Sequence, residues 1–387
     1  MSAHERIVFG LPWLDEAEEE LVRQTLRSGW IGQGPLVELF EERLRDYLDA
    51  KHVVAVGSCT AGLHLALVAL GIGPGDEVIT TPFTFVATLN AITHAGATPV
   101  LVDVDAETLN LAPERVAGAI TPRTAAVLPV HFGGRPLDVV GYGQLADEHG
   151  LWIVEDAAHA IGAVAAGRRV GGQGHPRVVS VFSFYPNKNL ASAEGGAIAL
   201  ADGDVADRLR RLRLHGLDVD AWKRYRTGRY RPSLATEPGF KYNWTDLQAA
   251  IALGQLEKLE GFLAIREYLA EVYDRLLAEV PAVRVVDRGR PGLDYRHALH
   301  LYQVAVQQPP PARDHVVARL LDQGIGAAVH YIGVNRHPAY RTEEPYPVSD
   351  WASDALVTLP LHPQLDDDHL ARVVGALGQA LDEASGG

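Results

Sequence analysis

Across residues 51–200 two hydrophobic periods alternate along the chain. Short runs rich in Val, Ile and Thr recur: "VVAV" from Val53, "EVIT" from Glu77, "TPVLVDV" from Thr98, "TAAVLPV" from Thr124, "LWIVED" from Leu151 and "VVSVFSF" from Val178. Longer amphipathic segments separate them, the pattern of an α/β sheet with crossover helices. "CTAGLHLALVAL" is apolar nearly all round, which predicts a buried helix. A long helical period runs from about Thr245 through "DLQAAIALGQLEKLEGFLAIREYLAEVYDRLLAEV" and stops at Pro281. Beyond it come a strand ("ALHLYQVAV"), a Pro/Gly break ("RGRPGLD") and two helices ("RDHVVARLLDQG" and "DDDHLARVVGALGQALDEA"). Residues 202–240 read as irregular and Arg-rich. The division expected is a large domain over 1–260, with an N-terminal arm over 1–30, and a smaller α+β domain over 261–387.

Composition narrows the function classes. The chain has 387 residues, enough for about two or three domains. A formal charge of −14 argues against nucleic acid as the main partner, because phosphate backbones demand a basic surface. One cysteine, Cys59, rules out an internal disulfide and a Cys-based zinc or iron–sulfur site. The 16 histidines show no metal-ligand spacing, so no bound metal is expected. The opening "MSAHERIVFG" lacks a signal-peptide pattern, and no run of about 18 apolar residues offers a membrane span. A cytoplasmic location is the expectation.

Three loops after strands carry candidate chemistry. "WIVEDAAHA" ends a buried strand at Asp156, at the carboxyl edge where open α/β sheets hold ligands; capping the next segment is the plainer role. "VVAVGSCTAGLHLAL" is a strand, a small-residue turn and a helix opening at Ser58, Cys59, Thr60 and Ala61. Its free N–H groups suit either a phosphate or simple N-capping. "SVFSFYPNKNLASAEGGAIAL" sets Lys188 between apolar runs, where an ammonium needs a partner or a task. Lysine, aspartate and phosphate cradle together suit pyridoxal 5'-phosphate. The amine condenses with the aldehyde, the carboxylate holds the pyridine nitrogen protonated, and the helix N-terminus takes the phosphate.

These segments resemble the DegT/DnrJ/StrS nucleotide-sugar aminotransferases, which are fold-type I enzymes. The resemblance runs through "SGWIGQGPLVELFEERL", "PFTFVATLNAITHAGATPVLVDVDAETLNL", "VHFGGRPLD", "EDAAHAIGA", "FSFYPNKNL", "EGGAI", "KYNWTDLQAAIALGQLEKL" and "TLPLHPQL". It implies a large, mostly parallel seven-stranded sheet flanked by helices. It also implies Lys188 as the cofactor-bearing lysine and proton carrier, with Asp156 on the pyridine nitrogen. Ser183 and the turn at Ser58–Ala61 would take the phosphate, Phe85 would stack on the ring, and His159 would lie close by. Asn243 would reach the phosphate of a neighbouring subunit, so the resemblance implies a homodimer with shared sites. Ile31, Tyr185, His330 and Tyr331 are candidate substrate contacts. The implied reaction moves the amino group of L-glutamate, through pyridoxamine 5'-phosphate, to a nucleotide-linked keto-sugar. C4 of an NDP-4-keto-6-deoxyhexose is favoured, with a C3 keto-sugar or an inosose as rivals.

Three positions depart from the family pattern. Cys59 replaces a commoner glycine, Ala193 opens the usual "GEGG" loop, and Asn335 stands where histidine is frequent. "GIGPGD" at Gly71, Gly73 and Gly75 lies between a helix and a strand, the wrong context for a dinucleotide fingerprint. Nine of the 35 basic residues fall in 208–231, interleaved with Trp222, Tyr225 and Tyr230, as a solvated surface or a diphosphate rim. Dehydratase relatives on this fold carry histidine in place of the lysine or an iron–sulfur centre; Lys188 and a single cysteine oppose that reading. A non-catalytic regulator would have no reason to keep Lys188, Asp156, Ser183 and Asn243 together.

Overall fold

A computed structural model describes residues 6–172, 174–218, 232–289, 292 and 294–385. The large sheet has seven strands: β1 (His52–Val56), β2 (Glu77–Thr80), β3 (Thr98–Leu101), β4 (Thr124–Val127), β5 (Trp152–Asp156), β8 (Val178–Ser183) and β9 (Gly196–Leu200). Between β5 and β8 lie two short strands, β6 (Val164–Ala165) and β7 (Arg168–Arg169). Spatial order in the large sheet is β1-β9-β8-β5-β4-β2-β3. Neighbours pair in parallel from β8 through β3, while β9 is antiparallel to both β8 and β1. So β1, β2, β4, β5 and β8 all point their carboxyl ends at one edge.

Helices cover both faces, which is why the central strands are apolar on both sides; every residue of β8 and of β9 is buried. One face carries α3 (Cys59–Ala69) and α4 (Ala87–His94), with Leu63, Leu67 and Ile92 against Val154, Val181 and Ile198. The other face carries α2 (Pro35–Leu48), preceded by α1 (Glu16–Ser28), which packs on the long helix described below. Phe40 and Leu44 of α2 meet Phe182, Phe184 and Trp244 there. Burying each such side chain contributes about 1.5–3 kcal/mol. Two further helices, α5 (Pro113–Ala117) and α6 (Val139–His149), lie beside β4 and β5.

Residues 203–212 correct the reading of 202–240 as irregular. They form helix α7 (Gly203–Leu212), capped by the Asp202 side chain on the Val205 N–H, with Ala206, Leu209 and Leu212 buried. Five arginines between 208 and 224 masked a clean apolar spacing of three. Residues 219–231, with Trp222, Tyr225 and Tyr230, lie outside the described residues.

The predicted long helix is α8 (Asp246–Leu277), one element that runs through position 260. After it, β10 (Val283–Val285), β12 (Tyr302–Val306) and β13 (Leu356–Leu359) form an antiparallel sheet, and β11 (Tyr295–Arg296) pairs with β6. Helices α9 (Ala312–Asp322), α10 (Pro347–Ala355) and α11 (Asp367–Ser385) complete this part. Its core joins Leu269, Tyr273, Val304, Leu359 and Leu377, and it includes Ile7 from the N-terminal segment, which bridges to Ile325. No described helix is long and apolar enough to cross a membrane.

Candidate active site

A cleft of about 440 Å³ opens at the carboxyl edge of the large sheet. Its lining draws on the turn after β1 (Ser58, Cys59, Thr60), the segment after β2 (Thr84, Phe85), the end of β5 (Asp156, His159), the loop after β8 (Ser183, Tyr185, Asn187, Lys188) and His330 with Tyr331. A wider hollow near α7 involves Arg210, Arg211 and Glu237, but its charges pair with one another, Arg211 with Glu237 and Arg210 with Asp207.

Lys188 sits on a turn closed by its N–H to the Tyr185 carbonyl at 2.9 Å. The next residue, Asn189, donates its side-chain amide to the Ala298 carbonyl at 2.6 Å, which fastens this loop to the segment before β12. Lys188 Nζ lies 3.3 Å from His300 Nε2. Burial lowers the lysine to about 8, against the opposing pull of Cys59 and Asp156. An amine near 8 is a competent nucleophile at neutral pH.

Asp156 is 6% exposed. Its Oδ1 accepts from the Ala158 N–H at 3.1 Å and its Oδ2 from the Thr88 hydroxyl at 2.9 Å. Thr84 Oγ1 is 2.8 Å from Thr88 Oγ1, so Thr84 donates to Thr88 while Thr88 donates to the carboxylate. Burial raises the Asp156 carboxyl, and the bonds from Ala158 and Thr88 and the charge of Lys188 pull it back. The site thus holds a carboxylate that lacks a full counter-charge.

Beside it, α3 opens with Ser58 as N-cap, accepting from the Ala61 N–H at 3.1 Å. This turn packs so closely on β9 that a Cβ at Gly196 would stand 2.7 Å from the Cys59 nitrogen. Cys59 is buried, its Sγ 3.6 Å from the Val181 carbonyl, and burial raises its thiol. The cysteine that replaces the family's glycine thus sits at the cleft wall, its Sγ also 3.9 Å from Asp156 Oδ1. Ser183 closes the same corner from the end of β8.

His159 accepts from the Gly133 N–H at Nδ1 (3.3 Å), which leaves the proton on Nε2 to donate to Tyr331 Oη at 3.1 Å. Burial, then the charge of Lys188, keeps His159 well below its ordinary range and therefore neutral. Burial likewise keeps the Tyr331 phenol protonated, free to donate into the cleft. Phe85 stands 56% exposed at the mouth, its ring 6.0 Å from Tyr331, so core packing is not its role. His330 stacks on Phe9 at 5.3 Å and bonds Thr358 Oγ1 at 3.0 Å; burial pushes it down to about 4.

Three expected residues do not line this cleft. Ala61 acts through its backbone at the cap. Asn243 accepts from Lys241 Nζ at 2.6 Å and donates to the Trp244 carbonyl at 3.2 Å. Ile31 is 49% exposed outside it. Asn335 is buried behind the cleft, where its amide reaches Asp350 at 3.4 Å. Sequence reasoning missed Thr84, Thr88, Asn187 and His300. Thr88 was visible as a hydroxyl inside "FTFVAT"; His300 carries no local signal, being 112 residues from Lys188.

The fold agrees with the comparisons. The model of the DegT/DnrJ/EryC1/StrS aminotransferase family matches residues 12–378. The chain belongs to that family. It is 42% identical over 380 residues to the spore coat polysaccharide biosynthesis protein SpsC of Bacillus subtilis (strain 168), covering 95% of each. The structure of DesV from S. venezuelae, in complex with a ketimine intermediate, superposes with a TM-score of 0.85 at 34% identity, covering 96% of this chain and 99% of DesV. The sugar aminotransferase Spr1654 from Streptococcus pneumoniae, described as putative and solved in its PMP-form, gives 0.89 at 30% identity, over 98% and 100% of the two chains. The expected enzyme class, an aminotransferase on a mostly parallel seven-stranded sheet, therefore stands.

Proposed function

We propose that this aminotransferase uses pyridoxal 5'-phosphate to move the amino group of L-glutamate to a nucleotide-linked keto-sugar. The favoured acceptor carbon is C4 of an NDP-4-keto-6-deoxyhexose such as dTDP-4-keto-6-deoxyglucose. The carrying observation is the buried Lys188 amine sharing one cleft with an under-neutralised Asp156 and the N-terminus of α3.

These residues fit the cofactor. Asp156, fixed by Thr88 and Ala158, offers an anion for a protonated ring nitrogen and so completes its own charge balance. Ser58, Thr60 and Ser183 cluster where the α3 dipole favours a phosphate. Phe85 and His159 both line the cleft and offer flat surfaces to a ring. When bound, the cofactor supplies an electron sink for the carbon that loses its proton. With the cofactor bound, Lys188 as a neutral amine would be the group that accepts a proton from the α-carbon of the donor and gives it back later in the reaction. Tyr331, protonated and oriented by His159, donates a hydrogen bond toward the bound ligand. His330 and Tyr185 line the outer cleft as candidate sugar contacts. Asn243 and Ile31, outside the cleft of their own chain, fit a role in the partner site of a homodimer. The relatives support a sugar acceptor: SpsC is named for polysaccharide biosynthesis and Spr1654 for sugar amination.

Incubating reconstituted protein with glutamate and dTDP-4-keto-6-deoxyglucose is expected to give a 4-amino sugar by NMR, with 2-oxoglutarate in equal amount. Formation of 2-oxoglutarate in a single turnover without any amino sugar would reject this acceptor while keeping the amino-donor half.

A further inference from the structure

His300 is 4% exposed, yet its Nδ1 has no hydrogen-bond partner. A histidine kept for packing normally satisfies both ring nitrogens. Here one nitrogen is bare and the other, Nε2, is 3.3 Å from Lys188 Nζ. The imidazole is thus the hydrogen-bonding neighbour of that Nζ.

The placement is rigid. Ala298 N–H donates to the Gly134 carbonyl at 2.8 Å and Leu301 N–H to the Gly133 carbonyl at 3.0 Å, bracketing His300 on both sides. A Cβ on Gly134 would stand 3.1 Å from the His300 nitrogen, so this turn fits against the backbone without a side chain. Asn189 ties the lysine loop to Ala298, two residues away. The His159 ring packs against the His300 ring at 4.5 Å. Lysine loop and histidine are thus held to each other by backbone contacts as well as by their side chains.

We propose that His300 is a positioning residue, its Nε2 accepting a hydrogen bond from Lys188 Nζ and so fixing where the amine rests whenever it is not covalently engaged. Such a rest position faces the cleft and keeps the amine poised for the proton transfers assigned to it. The donor is the lysine, so His300 is neutral with its proton on Nδ1. Neutrality agrees with its surroundings: burial first, then Lys188, His159, Arg266 and His330, all disfavour a cation there. Lys188 itself faces Cys59 and Asp156. The contact stabilises the ammonium form of the lysine, so removing it lowers the lysine further.

The test uses the apoprotein first. The chain has five lysines, so 13C,15N-lysine labelling gives few side-chain signals, and Lys188→Ala assigns the one of interest. The wild-type signal is expected to titrate near 8. In His300→Leu the midpoint falls by about half a unit or more, and in His300→Gln, whose Oε1 replaces the acceptor, it returns toward wild type. If the leucine variant does not fold, His300→Asn, too short to reach, takes its place. A titration in the leucine or asparagine variant that overlays wild type overturns the proposal, as does an equal shift in the glutamine variant. In the holoenzyme kcat should fall about 10- to 100-fold with the KM for glutamate little changed. Only this second arm rests on the aminotransferase reading. A shifted lysine in a protein without transaminase activity would uphold the contact and reject the function.

Discussion

Lys188 and Asp156 owe their chemistry to opposite effects of the same burial. Burial drives the lysine down to about 8 and the aspartate up, so each is moved toward neutrality until a ligand joins them. The rate of pyridoxal phosphate uptake by the apoprotein should therefore rise with pH through about 8, as the amine loses its proton, and level off above. A rate already flat below pH 7, followed by stopped-flow absorbance, would show that the amine is not the titrating nucleophile. Thr88→Val removes one hydrogen bond from the buried carboxylate. A loss of about 1–2 kcal/mol of cofactor affinity, close to tenfold in Kd, is expected by equilibrium titration. Cys59 is the opposite case, a buried thiol pushed up by burial. It should stay unreactive to Ellman's reagent in the native protein and react once on denaturation. At this scale Asp156 was legible, because a buried apolar run that ends in a polar residue marks a carboxyl edge, while Ser183 entered only through the family resemblance. His300 was not, because its meaning lies entirely in a contact across the fold.

At the level of elements, the hairpin from β8 to β9 carries the lysine and is locked from outside. Trp244 Nε1 donates to the Glu194 carbonyl at 2.8 Å and Gln248 Nε2 to the same oxygen at 2.9 Å, so the "NWTDLQ" block at the start of α8 clamps the "EGG" turn. Within that turn Ala193 has φ +48°, in the left-handed region that disfavours a Cβ. Ala193→Gly should stabilise the protein by about 0.5–1 kcal/mol, the relief of strain exceeding the added chain entropy. A lowered Tm in calorimetry would contradict this. The departure from the family's glycine is thus a local cost rather than a change of chemistry. Strands such as Val178–Ser183 were legible because they are buried on both faces, and α3 because its apolar residues surround it. Helix α7 was not, since charged residues on its exposed side dominate its composition while three residues alone face the core. Nothing in the alternation of periods announced that Ile7 would pack into the C-terminal core; that pairing with Ile325 is long-range.

At the scale of the whole molecule, one chain builds a cleft that is complete for the lysine, the carboxylate and the helix N-terminus, while Asn243 and Ile31 remain outside it. If these serve a two-fold partner, a 1:1 mixture of Lys188→Ala and Asn243→Ala chains, unfolded and refolded together, should recover about one quarter of wild-type activity. Half the dimers are then mixed, and each of those has one intact site. No recovery in a mixture that light scattering shows to be dimeric would place Asn243 in its own chain's chemistry or outside chemistry altogether. The central claim remains covalent, and it is tested most directly on the loaded protein. Incubation with pyridoxal 5'-phosphate, reduction with borohydride and peptide mass spectrometry should place a phosphopyridoxyl group on Lys188 alone among the five lysines. A label absent from Lys188, or spread over the surface lysines, would contradict it.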